Sequence, residues 1–277
     1  MMNFFDINVH VSSFSHLNKV LNNNSASEML NFEKNFTFKN IKHFQNNFNY
    51  EIKKKKFYNN YVYNLMVFTK NIELEKLKSF NNAKCVSKTI LCDFRTKKKK
   101  NYISNLKTNK INAVKFHSYF QKITEKDYDN CVEISKICEE FKIPILIDTS
   151  FGGEHLYKIK NLELAVEILK KVKEIPVVLL HSGGLKVLEA FLVAEQFPNV
   201  FLDTSFSVNY FKNFSILKNY IEVYKKLGCN RVIYGSDFPY SDLRQSFNDT
   251  YNLLRKAFKT KTDIEKVFYK NAIKIFL

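Results

Sequence analysis

The sequence predicts a single α/β barrel of eight strands, (β/α)8, with one excursion after the first strand. Three observations predict it. Short apolar runs recur eight times along the 277 residues, amphipathic helical stretches separate the later runs, and polar side chains collect at the C-terminal ends of the runs. A chain of 277 residues suits one such barrel, which takes about 250 residues, and at 45% apolar composition it can fill a large core.

The strand-like runs are residues 4–10 (FFDINVH), 61–69, 86–93, 112–117 (NAVKFH), 143–149 (IPILIDT), 175–181 (IPVVLLH), 199–204 (NVFLDT) and 231–237 (RVIYGSD). Several are almost continuously apolar, as strands buried on both faces of a parallel sheet must be. Helical spacing follows in 124–141, where Cys131, Ile134, Ile137, Cys138 and Phe141 mark one face, and in 162–173, 185–197, 214–227 and 242–257. All six glycines and four prolines lie from Pro144 onward, several at borders of the runs where turns are expected. Residues 16–57, rich in Asn, Phe and Lys, break the rhythm and read as an insertion or lid between strands one and two, or as helical padding. No second domain is indicated, so the barrel is expected to span 1–277.

Composition excludes several classes. No apolar run reaches the roughly 20 residues of a membrane span, and the start, MMNFFDINVHVSS, has no basic segment leading into a long apolar one. Five scattered cysteines without a CxxC pair argue against a disulfide framework and for a reducing cytoplasm. The net charge of +17 accompanies an abundance of Lys, Asn, Phe, Ile and Tyr, residues with A/T-rich codons, so genome bias accounts for it. The runs Lys53–Lys56 and Lys97–Lys100 read as solvated surface, no nucleic-acid motif accompanies them, and a small, anionic substrate is the partner the charge allows. A homodimer is open.

In α/β barrels chemistry sits at the C-terminal mouth. Here strand one ends Asp6-Ile7-Asn8-Val9-His10, strand four Lys115-Phe116-His117, strand five Asp148 before Phe151-Gly152-Gly153, strand six His181-Ser182-Gly183-Gly184, strand seven Asp203-Thr204-Ser205 and strand eight Gly235-Ser236-Asp237-Phe238-Pro239. Any one of these reads as an ordinary cap. Together they supply the imidazole, carboxylate and amide groups of a metal site. Strict alternation puts Asp6, Asn8 and His10 on one face of strand one.

With these residues in hand, the sequence resembles the amidohydrolase superfamily, in particular its amidohydrolase-related branch around aminocarboxymuconate-semialdehyde decarboxylase. FFDINVHVS resembles the Asp-x-His-x-His opening, NAVKFH the fourth-strand Lys-x-His, IPILIDTSFGG the fifth strand, VVLLHSGG the sixth-strand His-x-Gly-Gly, PNVFLDTS the seventh strand, RVIYGSDFPY the eighth-strand Gly-Ser-Asp-x-Pro, and KVFYKNAIKIFL the closing helix. The resemblance implies a TIM-like barrel, His10 and Asp237 as metal ligands, His181 as an active-site histidine, and Asp237 as the group that activates the attacking water. Two positions depart from the pattern: Asn8 stands for the first histidine of the pair and Asp148 for the fifth-strand histidine.

These swaps have consequences. A set of Asn8, His10, Asp148 and Asp237 favours oxygen-preferring ions, so the divalent ion is expected to be Mn or Mg more than Zn, or to bind weakly or not at all. On the enzymatic reading, a metal- or carboxylate-activated water attacks a small polar substrate, Asp237 accepts its proton, His181 bonds the developing oxyanion, and Lys115 and His117 hold an anionic group; Lys115 packed against a carboxylate is the plainer alternative. The product is a hydrolase or a related decarboxylase (a lyase). The alternative function is a catalytically inactive or metal-free ligand-binding member of the same fold.

Overall fold

The computed structural model describes residues 2–11, 38–54, 60–68, 73–78, 84–150 and 158–277. Eight strands, β1 (Phe4–His10), β2 (Tyr61–Val67), β3 (Cys85–Leu91), β4 (Ala113–Phe116), β5 (Ile145–Asp148), β6 (Val177–Leu180), β7 (Val200–Asp203) and β8 (Val232–Ile233), pair in sequence order. Every pairing is parallel. The ring closes through the chain just beyond β8. Ile7 N–H donates to Tyr234 O (3.2 Å), His10 N–H donates to Phe238 O (2.7 Å), and Val9 bridges Phe238 in parallel. This is a nearly closed TIM barrel, as the run pattern predicts.

The helices are α1 (Phe38–Lys54), α2 (Leu74–Lys78), α3 (Lys99–Thr108), α4 (Ser118–Gln121), α5 (Tyr128–Glu140), α6 (Asn161–Leu169), α7 (Val187–Gln196), α8 (Ser207–Tyr210), α9 (Leu217–Leu227), α10 (Leu243–Ala257), α11 (Lys261–Glu265) and α12 (Asn271–Phe276). The larger core lies between strands and helices and is built from outward-facing strand residues such as Tyr61, Tyr63, Leu65 and Val67. A second cluster fills the barrel: Phe5, Ile7, Met66, Ala113, Leu146, Val178, Leu180 and Ile233, with Ile275 and Phe276 of α12. α12 thus covers the N-terminal end, where Asn112 Nδ2 donates to Phe276 O at 2.9 Å. Among the described residues no helix is long and apolar enough to cross a membrane.

Of the excursion, 16–37 and 55–57 lie outside the described residues. Within it α1 is a packing helix. Ile41, Phe44, Phe48 and Ile52 recur at helical spacing, all are buried, and Phe48 meets Tyr63 edge-on at 5.1 Å and Phe238 at 4.9 Å. In the run at 97–100, which opens α3, Lys97, Lys98 and Lys100 are exposed as the solvated reading expects, with Lys100 paired to Glu140 (3.1 Å), whereas Lys99 is largely buried, at 11% side-chain exposure, and paired to Glu133 (2.8 Å). The side chains of Lys53–Lys56 lie outside the described residues.

One expectation fails. Strand one does not keep strict alternation, because its register against β2 slips between Asp6 and Val9, three residues on β1 matching two on β2. This is a β-bulge. Phe5 and Ile7 point into the barrel. Asp6 instead turns to the helix side, where it accepts from Tyr61 Oη (2.6 Å) and from the Ser236 amide (2.8 Å). The extra residue returns Asn8 and His10 to the mouth.

Candidate active site at the barrel mouth

The C-terminal ends of β1, β4, β5, β6 and β8 bring Asn8, His10, Lys115, His117, Asp148, His181 and Asp237 together, all at 6% exposure or less. They form two linked groups. In the first, Asp148 Oδ2 is ringed by Lys115 Nζ (3.1 Å), His181 Nε2 (3.2 Å) and His117 Nε2 (3.6 Å), while Ser150 Oγ–H donates to Asp148 Oδ1 at 2.6 Å. In the second, Asp237 Oδ1 lies 3.3 Å from His10 Nε2 and accepts from Asn8 Nδ2 at 2.9 Å. The Asn8 amide also donates to Ser205 Oγ (3.0 Å), which leaves Asn8 Oδ1 buried and without a hydrogen-bond partner. Such an acceptor needs a donor from water or a ligand. Residues 151–153 lie outside the described residues.

The electrostatics follow from these neighbours. Burial by itself would raise the Asp148 carboxyl, but His117, Lys115 and His181 outweigh it and hold the group well below the usual carboxylate range. Burial would likewise lower His181, yet the Asp148 carboxylate, its hydrogen bond, Asp237 and Asp203 push the imidazole up to about 9. His181 is therefore an imidazolium at neutral pH, and its Nδ1–H reaches Ser205 O at 3.2 Å. His117, buried beside Lys115, His10 and His181, is pushed down to about 3 despite Asp148, and stays neutral. Asp237 is lowered: burial opposes ionisation, but the hydrogen bond from His10 and the charges of His181, His10 and Lys115 prevail.

The backbone beneath these groups is strained. Among the described residues, seven non-glycine residues have positive φ. Lys110, Lys122 and Lys142 stand just past helix ends, where the left-handed conformation is an ordinary terminator. The other four, His181 (67°), Ser182 (49°), Phe206 (54°) and Asp237 (60°), all follow β6, β7 and β8 at the mouth. Each costs about 1–3 kcal/mol and persists only where surrounding contacts impose it. For His181 the contacts are visible. Its N–H donates to Asp203 Oδ1, its carbonyl accepts from Ser207 Oγ (2.8 Å), and Gly183 N–H donates to Thr149 Oγ1 (2.8 Å).

Asp203 and Ser205 are the polar residues whose part sequence reasoning missed. Both end a strand, which was the available signal, but their job is to fix His181. Ser205 bonds the Asp203 carboxylate, whose pKa burial raises to about 6. The aromatic wall was also unpredicted: Phe68 stands 4.9 Å from His10, with the Lys115 ammonium over its ring at 4.9 Å, while Tyr119 lies 4.2 Å from His117 and Tyr240 lies 5.4 Å from His10.

A resident divalent ion does not fit these residues. Among the described residues no three His, Cys, Asp or Glu side chains are grouped so as to hold one. Among the described mouth residues, Asn8 Oδ1 and His117 Nδ1 are buried without a hydrogen-bond partner and speak in favour of an ion. Against it stands Lys115. An ion about 2 Å from Asp148 Oδ2 would lie within about 5 Å of Lys115 Nζ, because the ammonium is 3.1 Å from the same oxygen. At an effective dielectric of 20 that pair repels by about 7 kcal/mol.

Comparison with known proteins agrees with the fold. The sequence profile described as Amidohydrolase matches residues 100–277. Among curated proteins no sequence matches. A TIM-barrel protein from Bordetella bronchiseptica superposes with TM-score 0.69 at 14% identity, covering 99% of this chain and 98% of that one. A probable 2-pyrone-4,6-dicarboxylic acid hydrolase from Acinetobacter baumannii, solved with citric acid, gives 0.62 at 14% identity over 99% of both chains. A dihydroxybenzoic acid decarboxylase from Polaromonas, with bound manganese and 2-nitroresorcinol, gives 0.60 at 9% identity over 100% of this chain and 97% of that one. The profile match spans well over half of the sequence and carries five of the mouth residues, Lys115, His117, Asp148, His181 and Asp237, so the chain belongs to the amidohydrolase family.

Proposed function

We propose that this protein is a hydrolase for a small carboxylated compound, with a lactone or ester bond in a planar ring system as the reacting group. The observation that carries the reading is the meeting, at one mouth, of an ionised acceptor, Asp237, with a fixed pair of cations, Lys115 and His181. Lys115 has three N–H donors and Asp148 takes one. The others are suited to a substrate carboxylate, and the ring of Phe68 beneath the ammonium suits a flat apolar body. The solved relatives named for pyrone-dicarboxylate hydrolysis and dihydroxybenzoate decarboxylation act on compounds of this kind.

In this scheme a water held by Asp237 and by the unmet Asn8 Oδ1 attacks the carbonyl carbon. Asp237 takes one water proton as the new C–O bond forms. The carbonyl oxygen becomes an oxyanion, which the Lys115–His181 pair stabilises. When the tetrahedral centre collapses, the old C–O bond breaks, and the proton held by Asp237 passes to the departing oxygen, leaving an acid and a hydroxyl. Hydrolysis is favoured over decarboxylation because Asp237 is held ionised. It can accept the proton hydrolysis releases, whereas decarboxylation asks for a donor to the new carbanion, and both ring N–H groups of the His181 cation are already committed to Asp148 and Ser205.

The test is a panel of planar carboxylated lactones and esters, followed by acid release and by CO2 release, for the natural protein and for Asp237→Asn. Acid release that disappears in Asp237→Asn supports the scheme. CO2 release instead assigns a lyase, and turnover kept by Asp237→Asn removes that residue from its role. Saturable binding without turnover assigns the non-catalytic alternative.

A further inference from the structure

Two neighbouring outer helices differ in what they turn to the exterior. α9 exposes Lys218, Asn219, Glu222, Lys225 and Lys226, as a surface helix should. α7 is apolar at seven of its ten positions. Val187, Ala190, Phe191 and Ala194 pack it on the barrel, but Leu188 and Leu192, one turn apart, stay exposed, as does Leu185 just before the helix. The apolar flank continues to the mouth. The Gly184 carbonyl, beside Leu185, accepts from Tyr220 Oη (2.7 Å), Tyr220 stacks on Phe211 (6.3 Å), and Phe211 meets Tyr210 (4.9 Å) and Phe214 (5.8 Å) edge-on. Seven large apolar side chains are exposed among the described residues. Five of them, Leu185, Leu188, Leu192, Tyr210 and Phe214, share this flank, each at 52% to 60% exposure.

We propose that this flank is the face of a two-fold homodimer, in which the Leu185–Leu188–Leu192 stripe and the Tyr210–Phe214 pair of one copy pack against the same residues of a second copy. Two properties choose a second copy as the occupant. The first is area. Five such side chains offer on the order of 500 Å² of apolar surface, and with a polar rim around it that is the scale of the roughly 800 Å² per partner that a stable dimer buries. The second is charge. The chain carries +17, so two copies repel over most of their surfaces. At this flank, however, the bordering Lys186, Lys226 and Lys212 are matched within the chain by Glu189, Glu195 and Asp249, each at 3.5 Å. An anionic lipid surface finds those cations already paired, whereas a locally neutral, apolar face suits its own copy. The inference is independent of the hydrolytic scheme, since its readout is mass and not turnover.

The experiment uses the full chain. Sedimentation velocity and light scattering follow its mass from about 1 to 100 µM, at low and at high salt. The expected mass is twice that of one chain, and the dimer fraction should rise with salt, because salt screens the repulsion between two cationic copies and leaves the apolar contact intact. Leu188→Glu combined with Leu192→Glu should weaken the dimer about 100-fold or more with the circular dichroism spectrum unchanged. Tyr210→Ser combined with Phe214→Ser, which adds no charge, should weaken it about 10-fold or more, and carries the test if the first pair does not fold. Hydrogen exchange of the natural protein reads the face without any substitution: segments 185–196 and 207–214 should gain protection as the concentration rises. A monomer at about 100 µM, a dimer that folded variants leave intact, or a dimer that protects other segments would overturn the proposal. So would a monomer that sediments with phosphatidylcholine–phosphatidylserine vesicles, which would assign the flank to a lipid surface instead.

Discussion

Asp148 and Asp237 are both aspartates, both buried, and both end barrel strands, yet their surroundings differ. Asp148 meets a cation: Lys115, His181 and His117 surround one oxygen and Ser150 holds the other. Asp237 is touched by an imidazole and an amide. The difference teaches that burial alone does not make a carboxylate reactive. Asp148 is consumed as a counter-ion, whereas Asp237 is kept ionised beside an acceptor, Asn8 Oδ1, that has no partner of its own.

The comparison breaks most sharply in activity. Asp237→Asn should lower turnover on the proposed substrates by about 10²–10⁴-fold while the folded state persists, read as kcat beside a circular dichroism melt. Asp148→Asn should do the opposite first. It strands the Lys115 ammonium in a dry site and should cost about 3–5 kcal/mol of stability in a urea titration. Equal stability losses for the two variants would erase the distinction.

A pH titration sharpens the same contrast. His181 has a folded value raised from 6.5 to about 9. Its contribution to stability is therefore complete below pH 6.5 and is lost as pH rises towards 9. The shift corresponds to roughly 3 kcal/mol. Asp148, lowered in the fold, has the opposite sign: its contribution is present above its ordinary value of 3.8 and is lost as pH falls through the depressed value. Urea midpoints should fall between pH 6.5 and 9, and in Asp148→Asn the fall should be smaller and end at lower pH because the carboxylate that raises His181 is gone.

The smallest effect concerns the floor beneath both aspartates. A Cβ on Gly235 would stand 2.6 Å from Asp203 Oδ2 and 3.1 Å from both Asn8 Cβ and Ser205 Cβ. Gly235→Ala should cost about 1–3 kcal/mol through this crowding, and it should disturb His181 through Asp203 before it disturbs Asp148. A neutral outcome in the urea titration would mean that the seventh strand yields more easily than the close contacts imply.

The sequence by itself determined the barrel and the list of mouth residues. Strand runs, helix spacing and the order of polar strand ends are local patterns, and a parallel (β/α)8 ring leaves little choice about which ends share a rim. Local pattern also separated the surface lysines of α3 from the core. The tertiary structure decided the pairings. Periodicity could not reveal the bulge that sends Asp6 to Tyr61 and returns Asn8 to the mouth, because one extra residue in a strand leaves composition and spacing unchanged. Nor could it reveal that Lys115 pairs with Asp148. That outcome depends on distances of about 3 Å between residues more than thirty positions apart. Charge at that range in a dry interior is strong enough to decide which groups are ionised and which are left to react.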